Sequence, residues 1–209
     1  MVLNILLLVI FFACVACLYT EGLWGNAILL INVMTSALLA SNFFEPVAGW
    51  MEGQFPTFTY VWDFLALWGL FGVFMIVLRL ATDFLSRVKV RFLKIADQIG
   101  GAILCLWTAW VIVCFTAMSL HTAPLAREHL RGSFQPEQRM FFGLAPDRQW
   151  LGFVQSTSLG QFCRSGTEKG KNEKTVFDAQ GEFMPKYATR RATLETHLRS
   201  AGTIRVSNK

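Results

Sequence analysis

The first 120 residues alternate between long apolar stretches and short polar interruptions. Four stretches reach or approach the roughly 20 apolar residues that a helix needs to cross a bilayer. They cover residues 2–19, 24–44, 60–80 and 98–120. Because a segment in hydrocarbon must satisfy its own backbone hydrogen bonds, each stretch is predicted to be an α-helix. The sequence therefore predicts an all-α polytopic membrane protein with four transmembrane helices.

The first two stretches are separated only by the segment "TEGLWGN". So short a link predicts a tight antiparallel hairpin, with a single bent or re-entrant pair as the alternative. The second helix is predicted to end before Glu45 and Pro46, since proline interrupts a helix. The first stretch has no basic residue before it and a poor cleavage sequence, so an uncleaved helix is expected rather than a signal peptide.

Beyond residue 120 the pattern becomes mostly polar, and we expect a second part, 121–209, outside the membrane. Pro146 and Asp147 are typical of a helix start, and an apolar surface that includes Trp150 and Phe153 follows them. Further features of this tail are a turn at 178–181 and a short helix at 185–198. The sequence thus predicts a small, mostly helical tail domain beside the transmembrane domain 1–120.

Tyr187 and Arg191 share one face of the second tail helix, because they lie one turn apart. Together with Trp150 and Phe153 they form the candidate interaction surface of the tail. One interpretation is that these side chains pack locally or on the membrane surface. The other is that they bind a partner protein of the cell envelope.

Composition and charge agree with a membrane protein and predict its orientation. The chain is 54% hydrophobic and 16% charged, with a mean hydropathy of +0.43. The link between the third and fourth helices is basic, whereas the link before it contains Glu45 and Glu52 and no base. The bases are Arg79, Arg87, Lys89, Arg91 and Lys94. The positive-inside rule then places the basic link in the cytoplasm and both termini outside it, in a bacterial inner membrane. Arg127, Arg131 and Arg139 favour the opposite orientation.

The sequence has no pattern that predicts catalysis, a cofactor, a metal site or nucleic-acid binding. Its three histidines are scattered and lack zinc-ligand spacing. Four of the five cysteines lie in predicted membrane helices, where small apolar packing is their expected role. We therefore expect a non-enzymatic protein whose partners are the lipid bilayer, other envelope proteins and further copies of the chain.

The fourth helix begins with an acidic residue and two glycines. Gly101, Cys105 and Ala109 recur every four residues, with Gly100 beside them, so one helix face carries only small side chains. Such a face predicts close packing against a neighbouring helix. Asp97 lies in the first turn, where it is expected either to cap its own helix or to form an ion pair with Arg79 or Arg91.

These residues also carry a family resemblance. The segment "LKIADQIGGAILCLWTAWVIV" resembles the last helix of the colicin V production protein family (CvpA), whose motif is an aspartate followed by glycines at four-residue spacing. The segment "EGLWGNAILLINVMTSALLASNFF" is similar to that family's first loop and second helix. Asp97 and Gly101 match the motif, whereas Cys105 stands where a second glycine is usual. The resemblance implies a small four-helix inner-membrane protein linked to the production or export of a peptide toxin.

Two functions follow as hypotheses. The first is a membrane scaffold whose tail recruits or organises envelope proteins. The second is a subunit of a channel or transporter, in which Asn32 and Asp63 would belong to a polar path. The scaffold is favoured because no charged residue is predicted near the membrane midplane, where transport sites usually need one.

Overall fold

A computed structural model describes residues 2–85, 93–125, 139–160 and 176–207. The described residues form six α-helices and contain no strand. The helices are α1 (Val2–Leu18), α2 (Gly22–Gln54), α3 (Thr59–Leu85), α4 (Lys94–Thr122), α5 (Pro146–Ser158) and α6 (Phe183–Ser207), with a 3₁₀ turn at Pro56–Phe58 before α3. Five of the bases that bear on the orientation lie outside the described residues, namely Arg87, Lys89, Arg91, Arg127 and Arg131.

Helices α2, α3 and α4 are long and apolar enough to cross a membrane. Helix α1 is a fourth apolar helix of 17 residues, which corresponds to a length of about 25 Å. The predicted all-α membrane fold is therefore confirmed.

The four helices form an up-and-down bundle. The Cys105 thiol of α4 lies 3.5 Å from the Val15 carbonyl near the end of α1, so these two helices run antiparallel. Trp68, near the start of α3, donates to Ser119 at the far end of α4, at 3.1 Å. Helices α1 and α2 are joined by a tight turn in which the Glu21 amide donates to the Leu18 carbonyl at 3.1 Å. The start of α1, the α2–α3 corner and the end of α4 consequently lie at one end of the bundle.

Helix α2 is longer than the sequence predicts. It continues through Pro46 to Gln54, so the predicted end before Glu45 is wrong. Proline removes one backbone hydrogen bond from a helix. Tertiary packing offsets that loss here, because Phe44 and Ala48 on either side of the proline are both buried in the core.

The tail packs onto the bundle and shares its hydrophobic core. The Trp150 indole of α5 donates to the Ser41 hydroxyl of α2 at 3.0 Å. The ring of Phe44 lies 6.4 Å from each of the rings of Phe177 and Phe183. Residues on both sides of the predicted domain division at residue 120 therefore complete one core.

The local tail structure follows the expected pattern. Helix α5 begins at Pro146, as predicted. The predicted turn at 178–181 forms, and the Gly181 amide donates to the Asp178 carbonyl at 3.1 Å. The Asp178 side chain then accepts from the Phe183 amide at 2.9 Å, which starts α6. Helix α6 extends beyond the predicted short helix on both sides.

Candidate functional site

Two polar clusters lie at opposite ends of the bundle. The first, which we call the glycine junction, is where the α1–α2 turn meets the start of α4. Its members are Gly22, Leu23, Asn26, Asp97 and Gly101. The second, which we call the tail junction, is where α6 meets the α2–α3 corner. Its members are Glu45, Asp63, Lys186, Tyr187 and Arg190.

The glycine junction depends on a close approach between two backbones. A Cβ atom added to Gly101 would lie 3.0 Å from the carbonyl carbon of Gly22 and 3.1 Å from the nitrogen of Leu23. Gly22 itself has a φ of +72°, which disfavours other residues. At Gly100 an added Cβ would meet only the movable Leu23 side chain, at 2.6 Å. Gly101 is therefore the glycine that the contact requires.

The small-residue face of α4 lies against α1 and α2. Gly101, Cys105 and Ala109 are all buried, and the structure brings them together along one side of the helix. Asn26 reinforces the contact, since its side-chain amide nitrogen lies 3.2 Å from each of the carbonyl oxygens of Leu18 and Gly101. One side chain thus links α1, α2 and α4. This role of Asn26 is not among the sequence-based predictions, and its only signal in the sequence is an amide one turn after the loop glycine.

Asp97 caps a neighbouring helix rather than its own. Its Oδ1 accepts a hydrogen bond of 2.9 Å from the Leu23 amide, in the first turn of α2. The residue at the start of α4 is Leu93, which makes no side-chain cap. The carboxylate therefore satisfies a free N–H group and meets the positive end of the α2 dipole.

The predicted ion pair between Arg79 and Asp97 does not form in the structure. The Arg79 Nε lies 3.2 Å from the carboxylate of Asp83, one turn further along the same helix. Both of those side chains are exposed, so water weakens their attraction. The alternative partner of Asp97, Arg91, lies outside the described residues.

The structure does not bring the two residues of the predicted polar path together. Asn32 donates to the Thr82 hydroxyl at 3.0 Å, near the end of α3. Asp63 lies 19 positions earlier in α3, which corresponds to about 28 Å along the helix. The hydroxyl of Ser36, also on α2, contacts the Met75 sulfur of α3 at 3.9 Å. These polar groups of α2 hold helices together, as polar side chains in membrane bundles commonly do.

The tail junction is held by bases of α6 and acids of α2 and α3. The Arg190 guanidinium lies 2.6 Å from the Asp63 carboxylate, and the Lys186 ammonium lies 2.8 Å from that of Glu45. Arg190 also donates to the carbonyl of Thr59, the first residue of α3, and lies over the Tyr60 ring. Since residues 186 and 190 are one turn apart, a single face of α6 makes these contacts.

A second buried pair links α4 to α5. The His121 ring nitrogen lies 3.1 Å from the Asp147 carboxylate, and both side chains are fully buried. Arg191 is buried nearby on α6. Burial, with the Asp63 carboxylate close by, raises the pKa of the Tyr187 hydroxyl, which therefore stays protonated.

The predicted tail interaction surface faces the bundle. Trp150, Tyr187 and Arg191 are buried. Phe153 is half-buried against the same core, with its ring 5.7 Å from that of Trp150. The chain itself therefore occupies this surface.

The described residues contain no group of three histidine, cysteine or acidic side chains placed to hold a metal ion. The cysteines within them, Cys14, Cys17, Cys105 and Cys114, are not paired in disulfides. The contacts at both junctions hold helices together.

A helical bundle with an apolar exterior and interhelical polar contacts defines an integral membrane protein. The sequence profile described as "Colicin V production protein" matches residues 3–135, which is well over half of the chain. The chain therefore belongs to the colicin V production protein family. Neither a curated protein nor a solved structure gives a significant match to it.

Replacing Gly101 by alanine tests the close backbone approach. The added methyl group would press against backbone atoms that cannot rotate away, so we expect a loss of about 1–3 kcal/mol. Thermal unfolding in detergent would measure it. The matched control is Gly69→Ala in α3, where an added Cβ would meet nothing within 4 Å. Equal unfolding temperatures for the two variants would contradict the packing role.

Substitutions at Asp97 test the cap on α2. Asp97→Ala removes the acceptor and should cost about 1–2 kcal/mol. Asp97→Asn keeps an acceptor oxygen and should cost less, about 0.5 kcal/mol, from the lost charge at the helix end. The effect of Arg79→Gln should simply add to that of either variant, because the two side chains do not touch. Coupling between Arg79 and Asp97 in this cycle would restore the ion-pair hypothesis.

A double-mutant cycle tests the main ion pair of the tail junction. Asp63→Asn and Arg190→Gln should each destabilise the protein by about 1–2 kcal/mol, below the cost of breaking a fully buried pair because water reaches Arg190. The double variant should cost less than the sum of the two. A parallel cycle on the more exposed Glu45–Lys186 pair should give a smaller coupling. Additive effects at Asp63 and Arg190 would show that the contact does not hold the tail.

Proposed function

We propose that this chain is a non-enzymatic scaffold of the bacterial inner membrane, which organises other envelope proteins and acts in toxin production and envelope maintenance. The link to a toxin comes from its membership of the colicin V production protein family. The scaffold role rests on the way in which the tail is attached.

The observation that carries the proposal is the docked tail. Lys186 and Arg190 of α6 pair with acids of α2 and α3 beside the α2–α3 corner. The aromatic residues of α6 pack in the bundle core. A partner that binds such a fixed surface does not have to order it first, which removes one cost of association. The exposed positions of α5, which include Arg148, Gly152 and Ser156, provide a polar surface of this kind.

The proposed orientation places this surface outside the cytoplasm. It follows from the basic link between α3 and α4 and the acidic corner between α2 and α3. A contact between α1 and the tail supports one shared side: the Phe141 amide, at the start of the described tail, donates to the Asn4 side chain of α1 at 3.2 Å.

The alternative function is a channel or transporter subunit. It is favoured by the buried polar residues of α2, which include Asn26, Asn32 and Ser36. Their hydrogen bonds to α1, α3 and α4 favour a structural role instead. Ion flux through liposomes that contain the purified protein would favour the transport function if Asp63→Asn abolished it.

A photo-crosslinking amino acid at Ser156 tests the scaffold proposal in living cells. We expect discrete adducts with envelope proteins from Ser156, and lipid adducts alone from Ile103, an exposed apolar position of α4. The double variant Lys186→Gln with Arg190→Gln, which weakens the tail junction, should reduce the protein adducts. A cysteine introduced at Ser156 should react with an impermeant maleimide in intact cells, whereas one at Leu93 should not.

The outcomes separate the proposals. Lipid adducts alone at Ser156, together with flux that depends on Asp63, would replace the scaffold by a transporter. Maleimide labelling at Leu93 but not at Ser156 would reverse the orientation and leave the bundle unchanged.

A further inference from the structure

The segment before α5, residues 139–145, returns towards the membrane part of the bundle. Its Phe141 ring packs 5.8 Å from the ring of Trp110 and joins a buried cluster that includes Leu3, Leu7 and Val113. Val113 lies nine residues before the end of α4, which corresponds to about 13 Å along the helix. The segment therefore lies at the depth of the first turns of α1.

Two apolar side chains of this segment point outward. Phe142 is 72% exposed and Leu144 is 53% exposed. The first turns of α1 also expose apolar side chains, namely Ile5 and Val9. In a bundle that lies in a membrane, exposed apolar side chains of the helices face lipid. Phe142 and Leu144 extend that lipid-facing surface into the tail.

Several backbone groups of the segment are paired within the protein. The Phe141 amide binds Asn4, and the Leu144 and Ala145 amides donate to the carbonyls of Phe141 and Met140, each at 3.0 Å. The Leu144 carbonyl accepts from the Gln149 side chain, whose oxygen in turn accepts from the Trp110 indole. Pairing of this kind lowers the cost of bringing non-helical backbone into hydrocarbon.

We propose that residues 139–145 form a re-entrant turn that inserts Phe142 and Leu144 into the acyl chains of the tail-side leaflet. The turn lies beyond the residues that the family profile matches. It gives the tail a lipid anchor besides the ion pairs of the tail junction. The inference does not depend on the scaffold role.

Fluorescence quenching can test the insertion on the full chain in nanodiscs, whose two faces are both open to solvent. An environment-sensitive fluorescent amino acid is placed at position 142, and in separate samples at 144, 103 and 156. The discs contain phosphatidylcholine and phosphatidylglycerol with or without brominated acyl chains, and iodide serves as the aqueous quencher. Position 103 is the lipid-facing control, and position 156, on the polar face of α5, is the aqueous control.

We expect brominated lipid to quench positions 142 and 144 several-fold more strongly than position 156, and iodide to show the reverse order. A fluorophore at 142 that behaves like the one at 156 would overturn the proposal. Shielding of 142 from both quenchers would overturn it as well, because another protein surface, such as a second copy of the chain, would then cover the turn. The Phe142 side chain is exposed rather than part of the core, so the Phe142→Ser variant should keep its fold. In that variant, iodide should quench a fluorophore at 144 more strongly.

Discussion

The first amides of α2 have no acceptors within their own helix, and the rest of the structure depends on how these half-buried groups are paired. The α1–α2 turn is too short to provide all of the acceptors. Helix α4 therefore approaches until Gly101 touches the backbone of Gly22, and its Asp97 reaches the Leu23 amide. The close approach and the cap need each other, because a side chain at position 101 would move the carboxylate away from the amide.

At the other end of the bundle, buried ionisable side chains rather than backbone amides need partners. Asp63 and His121 lie near the ends of α3 and α4, where burial of an unpaired polar group is costly. The tail provides the partners, Arg190 for Asp63 and Asp147 for His121. The tail thus pairs buried polar groups of the membrane helices and also completes their hydrophobic core.

Much of this could be predicted from the sequence, because apolar length and small-residue spacing are local patterns. They predicted the helices and the packing face of Gly101, Cys105 and Ala109. The partner of Asp97 could not be predicted in this way, since a carboxylate near a helix start caps its own helix as plausibly as a neighbouring one. The continuation of α2 past Pro46 depends on packing against aromatic residues more than 120 positions later, such as Phe177 and Phe183. The aromatic residues of the tail are visible in the sequence as an apolar surface, but only the folded structure shows that α2–α4 cover it.

The pairing of Asp63 with Arg190 has a consequence for biosynthesis. A ribosome makes the chain from the N-terminus, so α3 enters the membrane well before the arginine that lies 2.6 Å from its aspartate has been translated. Until α6 emerges, the nascent bundle carries an aspartate without its base, although Asp147, the partner of His121, has already been made. The ion pair can therefore form only after α6 has been translated, and a chain cut before Arg190 would leave a buried aspartate without its base at the α2–α3 corner.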